Sequence, residues 1–533
     1  MNQLLYFNLN MIVKKSIQIF LLNGAIFFFL LILAACNPGS IKASKNEQRP
    51  NIILILADDM GWSDLGCYGG EINTPNLDKL AESGLRFTEV YNTSKCFPSR
   101  ACLLTGVYAQ QCGYGKTHRN KIQNAITLGE MFKLAGYRTL WSGKHHGIEN
   151  PVNRGFDHYY GLRDGACNYF NPGHQRPGEP KPAQKRDNRA WCIDDQLFQP
   201  YTPEEEDFYT TDYFTNYALK WLDQYKEEDK PFFLYLAYNA PHDPLMAWPE
   251  DIANYEGSYD EGYKAIRQKR FEKQKAIGLL DKSYELSEPV YQTWEELNGE
   301  EREEEIRKME VYAAMIDRMD QNIGRILEKI RLMGEEDNTL VLFASDNGAS
   351  AEVVKINKTG TIGTIDRWSS LGEDWANVSN TPLRYFKNYS YEGGIRTPLI
   401  AYWPAVIKNK NSMTDVPVHF IDFMATFLDI TGVKYPEQYN GQNLISLQGI
   451  SFLPLLRGEK YLRNRPLFWQ WSKGRAVRNG NWKLVSWSDH DWELYNLKQD
   501  PTEMYNLSDS IREVRKELEK LYDDWTKKVG LSE

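Results

Sequence analysis

The run Asn51-Ile52-Ile53-Leu54-Ile55-Leu56-Ala57 is nearly all apolar and stops abruptly at the acid pair Asp58-Asp59. A segment with so little polar character has no solvent face to offer. It predicts a strand buried on both sides, as in a parallel sheet covered by helices. Phe232-Phe233-Leu234-Tyr235-Leu236-Ala237 repeats the pattern, and so does Thr339-Leu340-Val341-Leu342-Phe343-Ala344-Ser345, which ends at Asp346-Asn347-Gly348. Tyr137 to Ser142 reads as a further strand. Leu77 to Gly84, Leu128 to Gly136 and Phe214 to Lys226 have helical character. Glu300 to Leu332 predicts a long helix with Met309, Ala313, Ile316, Ile323 and Leu327 near one face. Strand and helix alternate, which predicts an α/β fold on a doubly wound, mixed or mostly parallel sheet.

From about Arg465 the texture changes. Leu467 to Trp471, Ala476 to Arg478, Trp482 to Trp487 and Trp492 to Tyr495 read as short strands, with Asn479-Gly480 as a hairpin signal, and Ile511 to Val529 as a closing helix. Residues 49–464 are therefore assigned to the main domain and 465–533 to a small antiparallel subdomain. Gly257 to Gly299, rich in Lys, Glu and Tyr, reads as an excursion whose charges form a solvated face. At the other end, Lys14 and Lys15 precede an apolar stretch that reaches Ala34-Ala35-Cys36, the pattern of a secretory signal peptide. Leu33-Ala34-Ala35-Cys36 also resembles the bacterial lipobox. Residues 1–35 are then a lipoprotein signal peptide and 36–48 a tether. The expectation is an exported bacterial lipoprotein, periplasmic or on the cell surface, held to a membrane by lipid on Cys36. A formal net charge of −9 argues against a nucleic-acid partner. Besides Cys36 and Cys96, five cysteines remain; export permits disulfides, but an odd number leaves at least one thiol free.

The segment Cys96-Phe97-Pro98-Ser99-Arg100-Ala101-Cys102-Leu103-Leu104-Thr105-Gly106 resembles the signature of the type I sulfatases, the formylglycine-dependent, arylsulfatase-like branch of the alkaline phosphatase superfamily. The resemblance implies an alkaline-phosphatase-like fold. It also implies that a formylglycine-generating enzyme converts Cys96 to the aldehyde, whose hydrate attacks sulfur and later regenerates itself by expelling sulfate. Asp58 and Asp59 end one strand and Asp346 and Asn347 another, the place where open α/β sheets gather ligands. Oxygen donors suit a hard cation. In the family the matching positions hold one Ca²⁺, ahead of Mg²⁺, together with the oxygen of the residue at Cys96.

Further segments resemble family motifs. Gly143-Lys144-His145-His146 implies Lys144 and His146 as functional, with His145 a neighbour. Ala240-Pro241-His242-Asp243-Pro244 implies His242. Thr381-Pro382-Leu383-Arg384-Tyr385-Phe386-Lys387, followed by Glu392-Gly393-Gly394-Ile395-Arg396-Thr397-Pro398, implies Lys387. Tyr385-Phe386 departs from the Gly-containing pair often found there. By this resemblance Arg100 forks onto the hydrated aldehyde. Lys144 and Lys387 pin sulfate oxygens, and Lys387 or His242 supplies the leaving-group proton. His146 assists the last step, and Asp346 takes a proton while ligating the metal. The expected activity is sulfate ester hydrolysis, on sulfated carbohydrates or another sulfate ester. The rivals are a phosphodiesterase or phosphonate hydrolase of the same superfamily, and a non-catalytic glycan-binding lipoprotein.

Overall fold

A computed structural model describes residues 49–356 and 359–531. The signal peptide, Cys36 and the tether lie outside the described residues. The first strand, β1 (Asn51–Asp58), is buried at every position. Its side chains alternate between two cores: Ile53, Ile55 and Ala57 enter one, and Ile52, Leu54 and Leu56 the other. Burying such a side chain contributes about 1.5–3 kcal/mol, so a polar face would be costly here.

β1 lies inside an eleven-stranded sheet. The other long members are β2 (Leu85–Tyr91), β3 (Arg138–Gly143), β4 (His158–Leu162), β7 (Phe232–Pro241), β8 (Thr339–Ser345) and β9 (Arg396–Tyr402). Shorter strands toward the two ends of the sheet are β5 (Trp191–Ile193), β6 (Gln196–Phe198), β10 (Ser412–Thr414) and β11 (Val418–His419). The order is β10-β2-β9-β8-β1-β7-β3-β4-β5-β6, with β11 also on β2. The central run β8-β1-β7-β3-β4 is parallel, whereas β9 is antiparallel to both its neighbours. A two-stranded ribbon, β12 (Gln438–Tyr439) with β13 (Gln442–Asn443), stands apart from it.

Helices cover both faces. The Ile53 core takes in side chains of α1 (Pro75–Ser83), α4 (Thr210–Tyr225) and the long α6 (Gly299–Leu332). The opposite core takes in α2 (Cys96–Thr105), α3 (Leu128–Leu134) and α7 (Asp422–Thr431). It also includes the C-terminal sheet, β14 (Leu467–Trp471), β15 (Gly474–Asn479), β16 (Trp482–Trp487) and β17 (Glu493–Asn496), through Leu467, Trp469 and Val477, and Trp525 of α8 (Arg512–Lys528). The doubly wound sheet with a small antiparallel appendage is thus present. No described helix is long and apolar enough to cross a membrane.

Two local expectations are corrected. Asn479 pairs with Trp482, so the hairpin loop is Gly480-Asn481 rather than Asn479-Gly480, and Gly480 carries the positive φ of 58°. The excursion from Gly257 contains α5 (Gly262–Ala276), and its charges are not all solvated: Arg267 and Arg270 are 1% exposed. Arg270 reaches Asp64 at 2.7 Å and Glu71 at 2.7 Å, because a buried guanidinium needs carboxylate partners. The six described cysteines are buried free thiols, with no disulfide among them.

Candidate active site

Four adjacent parallel strands end side by side, and each delivers its last polar residues to one place. β8 gives Asp346 and Asn347, β1 gives Asp58 and Asp59, β7 gives His242, and β3 gives Lys144. Gly143 makes the last arrangement possible. A Cβ there would lie 1.9 Å from the Ala237 carbonyl, and the bare backbone lets Lys144 N–H donate to that oxygen at 2.7 Å. Asp59 turns the chain with φ of 64°, and its N–H donates to Asp346 Oδ1 at 3.2 Å.

Cys96 is the first residue of α2, a helix not anticipated from the sequence. Its N-terminal position places it at the positive end of the helix dipole. Arg100 follows four residues later, one turn on and on the same face. Its Nε donates to Asp346 Oδ2 at 2.7 Å and its Nη1 to the Lys144 carbonyl at 3.1 Å, while Nη2 lies 3.6 Å from Asp58 Oδ1. The fork therefore holds the two strand-end acids, since buried carboxylates are its strongest acceptors. Lys144 Nζ donates to Asp58 Oδ2, and Lys387 Nζ to Asp59 Oδ2 at 2.7 Å. Asn347 donates to Asp59 Oδ1 at 2.6 Å.

Burial pushes the Cys96 thiol above its ordinary value, although Lys144, Lys387 and Lys95 oppose it. Burial also raises the Asp346 carboxyl, reinforced by Asp58. Asp59 goes the other way. Burial works against its charge, but Lys387, His242 and Lys144 together hold it well below the usual carboxylate range. Burial weakens the Lys387 ammonium, yet Asp59 and Glu352 keep it firmly protonated.

His242 is fixed by its neighbour. Nδ1 lies 2.6 Å from the Asp243 carbonyl oxygen and 2.8 Å from Asp243 Oδ1, leaving Nε2 directed at Asp59 Oδ2, 3.5 Å away. Burial favours the neutral ring, but Asp59 and Asp58 outweigh it and raise the pKa. His146 is driven the opposite way by burial and then Lys144, and stays neutral. It packs on Phe97 at 5.7 Å and His118 at 4.9 Å. His145 turns away and lies edge-on to Trp141 at 4.9 Å.

Sequence reasoning missed two acids, Glu352 and Asp243, and the side chains that hold them. Glu352 lies 2.5 Å from Lys95 and 3.1 Å from Lys387. Asp243, which orients His242, is itself held by Ser370 Oγ at 2.5 Å and Trp368 Nε1 at 3.2 Å. None belongs to a motif that marks an acid as functional. Asp243 alone had a cue, its place inside the His242 segment.

The donor set fits a divalent cation. Ligand atoms of Asp58, Asp59 and His242 lie within 4.8 Å of one another. Asp58 Oδ1 and Asn347 Oδ1 are buried oxygens without a hydrogen-bond partner, which polar atoms in a folded protein rarely are. Hard oxygen donors of this kind suit a hard ion.

A family model described as "Sulfatase" matches residues 50–433, and one described as "N-sulphoglucosamine sulphohydrolase, C-terminal" matches 383–528. The chain belongs to the sulfatase family. It is 32% identical to an uncharacterized sulfatase of Schizosaccharomyces pombe over 82% of this chain and 86% of that one. It is also 32% identical to an arylsulfatase of Klebsiella aerogenes over 79% of this chain and 94% of that one. Among solved structures it is similar to Ps i-CgsB bound to k-i-k-neocarrahexaose, with a TM-score of 0.66 and 26% identity, covering 90% and 93% of the two chains. This sulfatase is accordingly a sulfuric ester hydrolase of a family that uses a metal and a formylglycine.

Proposed function

We propose that this sulfatase removes sulfate from sulfated carbohydrates, using formylglycine made from Cys96 and one Ca²⁺ held by Asp58, Asp59, Asp346 and Asn347. The observation that carries the reading is the convergence of those strand ends with Lys144, His242 and Lys387 beside residue 96. Charge balance supports it. The three carboxylates Asp58, Asp59 and Asp346 meet the three cations Arg100, Lys144 and Lys387, so the cluster is neutral as it stands. A dication entering with a sulfate ester, which carries one negative charge, leaves one unit of positive charge to offset the charge that develops on the sulfate.

The raised thiol pKa makes unmodified Cys96 a poor nucleophile. The oxidised residue supplies a hydrated aldehyde, and the metal supplies a Lewis acid that lowers the pKa of the attacking hydroxyl. The chain's own groups do the rest. Lys144 and Lys387, both buried, offset charge on the sulfate oxygens. His242 presents Nε2–H to the leaving oxygen, with Asp243 keeping the ring in that orientation. Neutral His146, with a free Nδ1, accepts a proton as sulfate departs.

Carbohydrate is favoured by the ligand of the Ps i-CgsB structure and by the rim of this site, where Phe97 meets Trp471 edge-on at 5.1 Å. The lipobox-like Cys36 adds the expectation of a surface-held enzyme that works outside the cytoplasm. The test is mass spectrometry of the Cys96 peptide from a host with a formylglycine-generating enzyme, followed by sulfate release from sulfated saccharides, aryl sulfates and phosphate esters. Conversion lowers the peptide by about 18 Da. Unmodified Cys96 in an active enzyme, or turnover confined to phosphate esters, would overturn the reading.

A further inference from the structure

Beside the catalytic mouth lies a groove of about 540 Å³ lined by Lys116, Gln470, Trp471, Ser472, Arg475 and Tyr522, among others. Two features connect it to the site. Trp471 is held by its Nε1–H to Asn388 Oδ1 at 3.1 Å and abuts Phe97, the residue after Cys96. On the other side, the chain that carries Lys116 continues to His118, which packs on His146 at 4.9 Å. One wall of the groove is thus shared with the rim of the active site.

The groove's charge is one-sided. Lys116 and Arg475 line it and no carboxylate does. Neither cation has an ion-pair partner among the described residues. Arg475 is braced over the Trp492 ring at 4.3 Å, and its buried Nε has no hydrogen-bond partner. In a chain of net charge −9 this is an unusual surface. Around it stand an indole, an amide and a hydroxyl, the groups that recognise sugar rings. A second cleft of about 270 Å³ shows the contrast. Its cations Arg463, Arg465, Arg478 and Lys498 are interspersed with Glu89 and Asp415, and Arg463 and Arg478 are already paired with Asp422 and Glu89.

The geometry points to the groove as a subsite for a neighbouring sugar of an anionic oligosaccharide, whose second sulfate or carboxylate is held by Lys116 and Arg475. The inference rests on the carbohydrate reading above and deepens it: the substrate is a charged chain rather than a single sulfated sugar.

The test compares three substrates with the full-length, formylglycine-containing enzyme. They are a sulfated monosaccharide, a tetrasaccharide carrying a second anionic group beside the scissile residue, and the same tetrasaccharide without that group. The charged tetrasaccharide should exceed the monosaccharide in kcat/KM by about tenfold or more. Lys116→Ala and Arg475→Ala should each remove most of that advantage through a higher KM, with kcat at saturation held. Lys116 is exposed and unpaired, so its variant tests the idea even if losing the Arg475–Trp492 stack harms folding. Lys498→Ala, in the other cleft, should leave the ratio in place. Turnover of the monosaccharide with no gain from the charged chain, or a gain that survives both variants, would refute the groove alone. Failure of every saccharide beside good aryl sulfate turnover would refute the carbohydrate reading and the groove with it.

Discussion

At the strand ends, Asp58, Asp59 and Asp346 face Arg100, Lys144 and Lys387. At the seam between the large sheet and the C-terminal sheet, Glu89, Glu392 and Glu503 face Arg396, Arg478 and Lys483. The two clusters have the same charge count and similar burial, but they are wired differently. The seam closes on itself. Lys483 Nζ lies 2.8 Å from both Glu392 and Glu503, Glu392 also accepts from Tyr91 at 2.8 Å, and Glu503 accepts the Glu392 N–H at 2.8 Å. Where a seam oxygen lacks a well-angled hydrogen bond, a cation still lies within 2.8 Å, as for Glu503 Oε1, or 2.7 Å, as for Glu89 Oε2. In the strand-end cluster, Asp58 Oδ1 has only Arg100 at 3.6 Å, and Asn347 Oδ1 has no hydrogen-bond partner. Buried charge that is fully paired ties two parts of the fold together; the same charge left partly open is capacity for a ligand.

The contrast predicts opposite penalties for removing a lysine. Lys387→Ala should lower kcat by about 10³-fold, the scale of losing a preorganised charge at the reacting group. Its effect on the urea midpoint should be the smaller of the two. Lys483→Met strands two buried carboxylates and should cost about 3–5 kcal/mol of stability, while kcat per folded molecule is kept. Urea unfolding and initial rates on both variants decide the matter. If Lys387→Ala proves the more destabilising, the distinction between an open and a closed cluster fails.

Metal removal sharpens the same point at a lower cost. With Ca²⁺ at a hundred times its dissociation constant, chelation should reduce stability by about 2.7 kcal/mol. Read-back of Ca²⁺ should restore the thermal midpoint of the parent and of Lys483→Met, but not of Asp58→Asn. Restoration in Asp58→Asn would place the ion elsewhere.

The strand ends were legible because a buried parallel strand leaves a plain mark, an unbroken apolar run, and its end is where polar residues first reappear. Asp58, Asp59, Asp346 and Asn347 stand at such ends. Helix α2 left no comparable mark. All ten of its residues are buried, so it has no polar face to set a period, and Pro98 reads as a breaker although a first-turn proline is tolerated. Glu352 was invisible for another reason: its contact with Lys95 spans 257 positions, and no local pattern encodes it. Arg267 and Arg270 were misread because composition counts charges without telling which ones turn inward.

The smallest expected effect concerns the closed cluster alone. Burial pushes the Glu503 carboxyl up to about 7, with Glu392 adding to the rise and Lys483 opposing it. A free glutamate titrates near 4.5. Between those values the folded chain keeps a proton that the unfolded chain has released, so the free energy of unfolding falls as pH rises. The contribution is fully present below about 4.5 and is lost as pH passes through about 7. Glu503→Gln keeps an uncharged, hydrogen-bonding side chain at the same place and should flatten that slope, removing about 1–2 kcal/mol of the change between about pH 5 and 8. Urea midpoints across that range at constant ionic strength would show it. An unchanged slope in Glu503→Gln would move the linkage to another raised carboxyl. Asp320, pushed up to about 6 by burial against the α1 backbone N–H groups that it accepts from, is the next to replace.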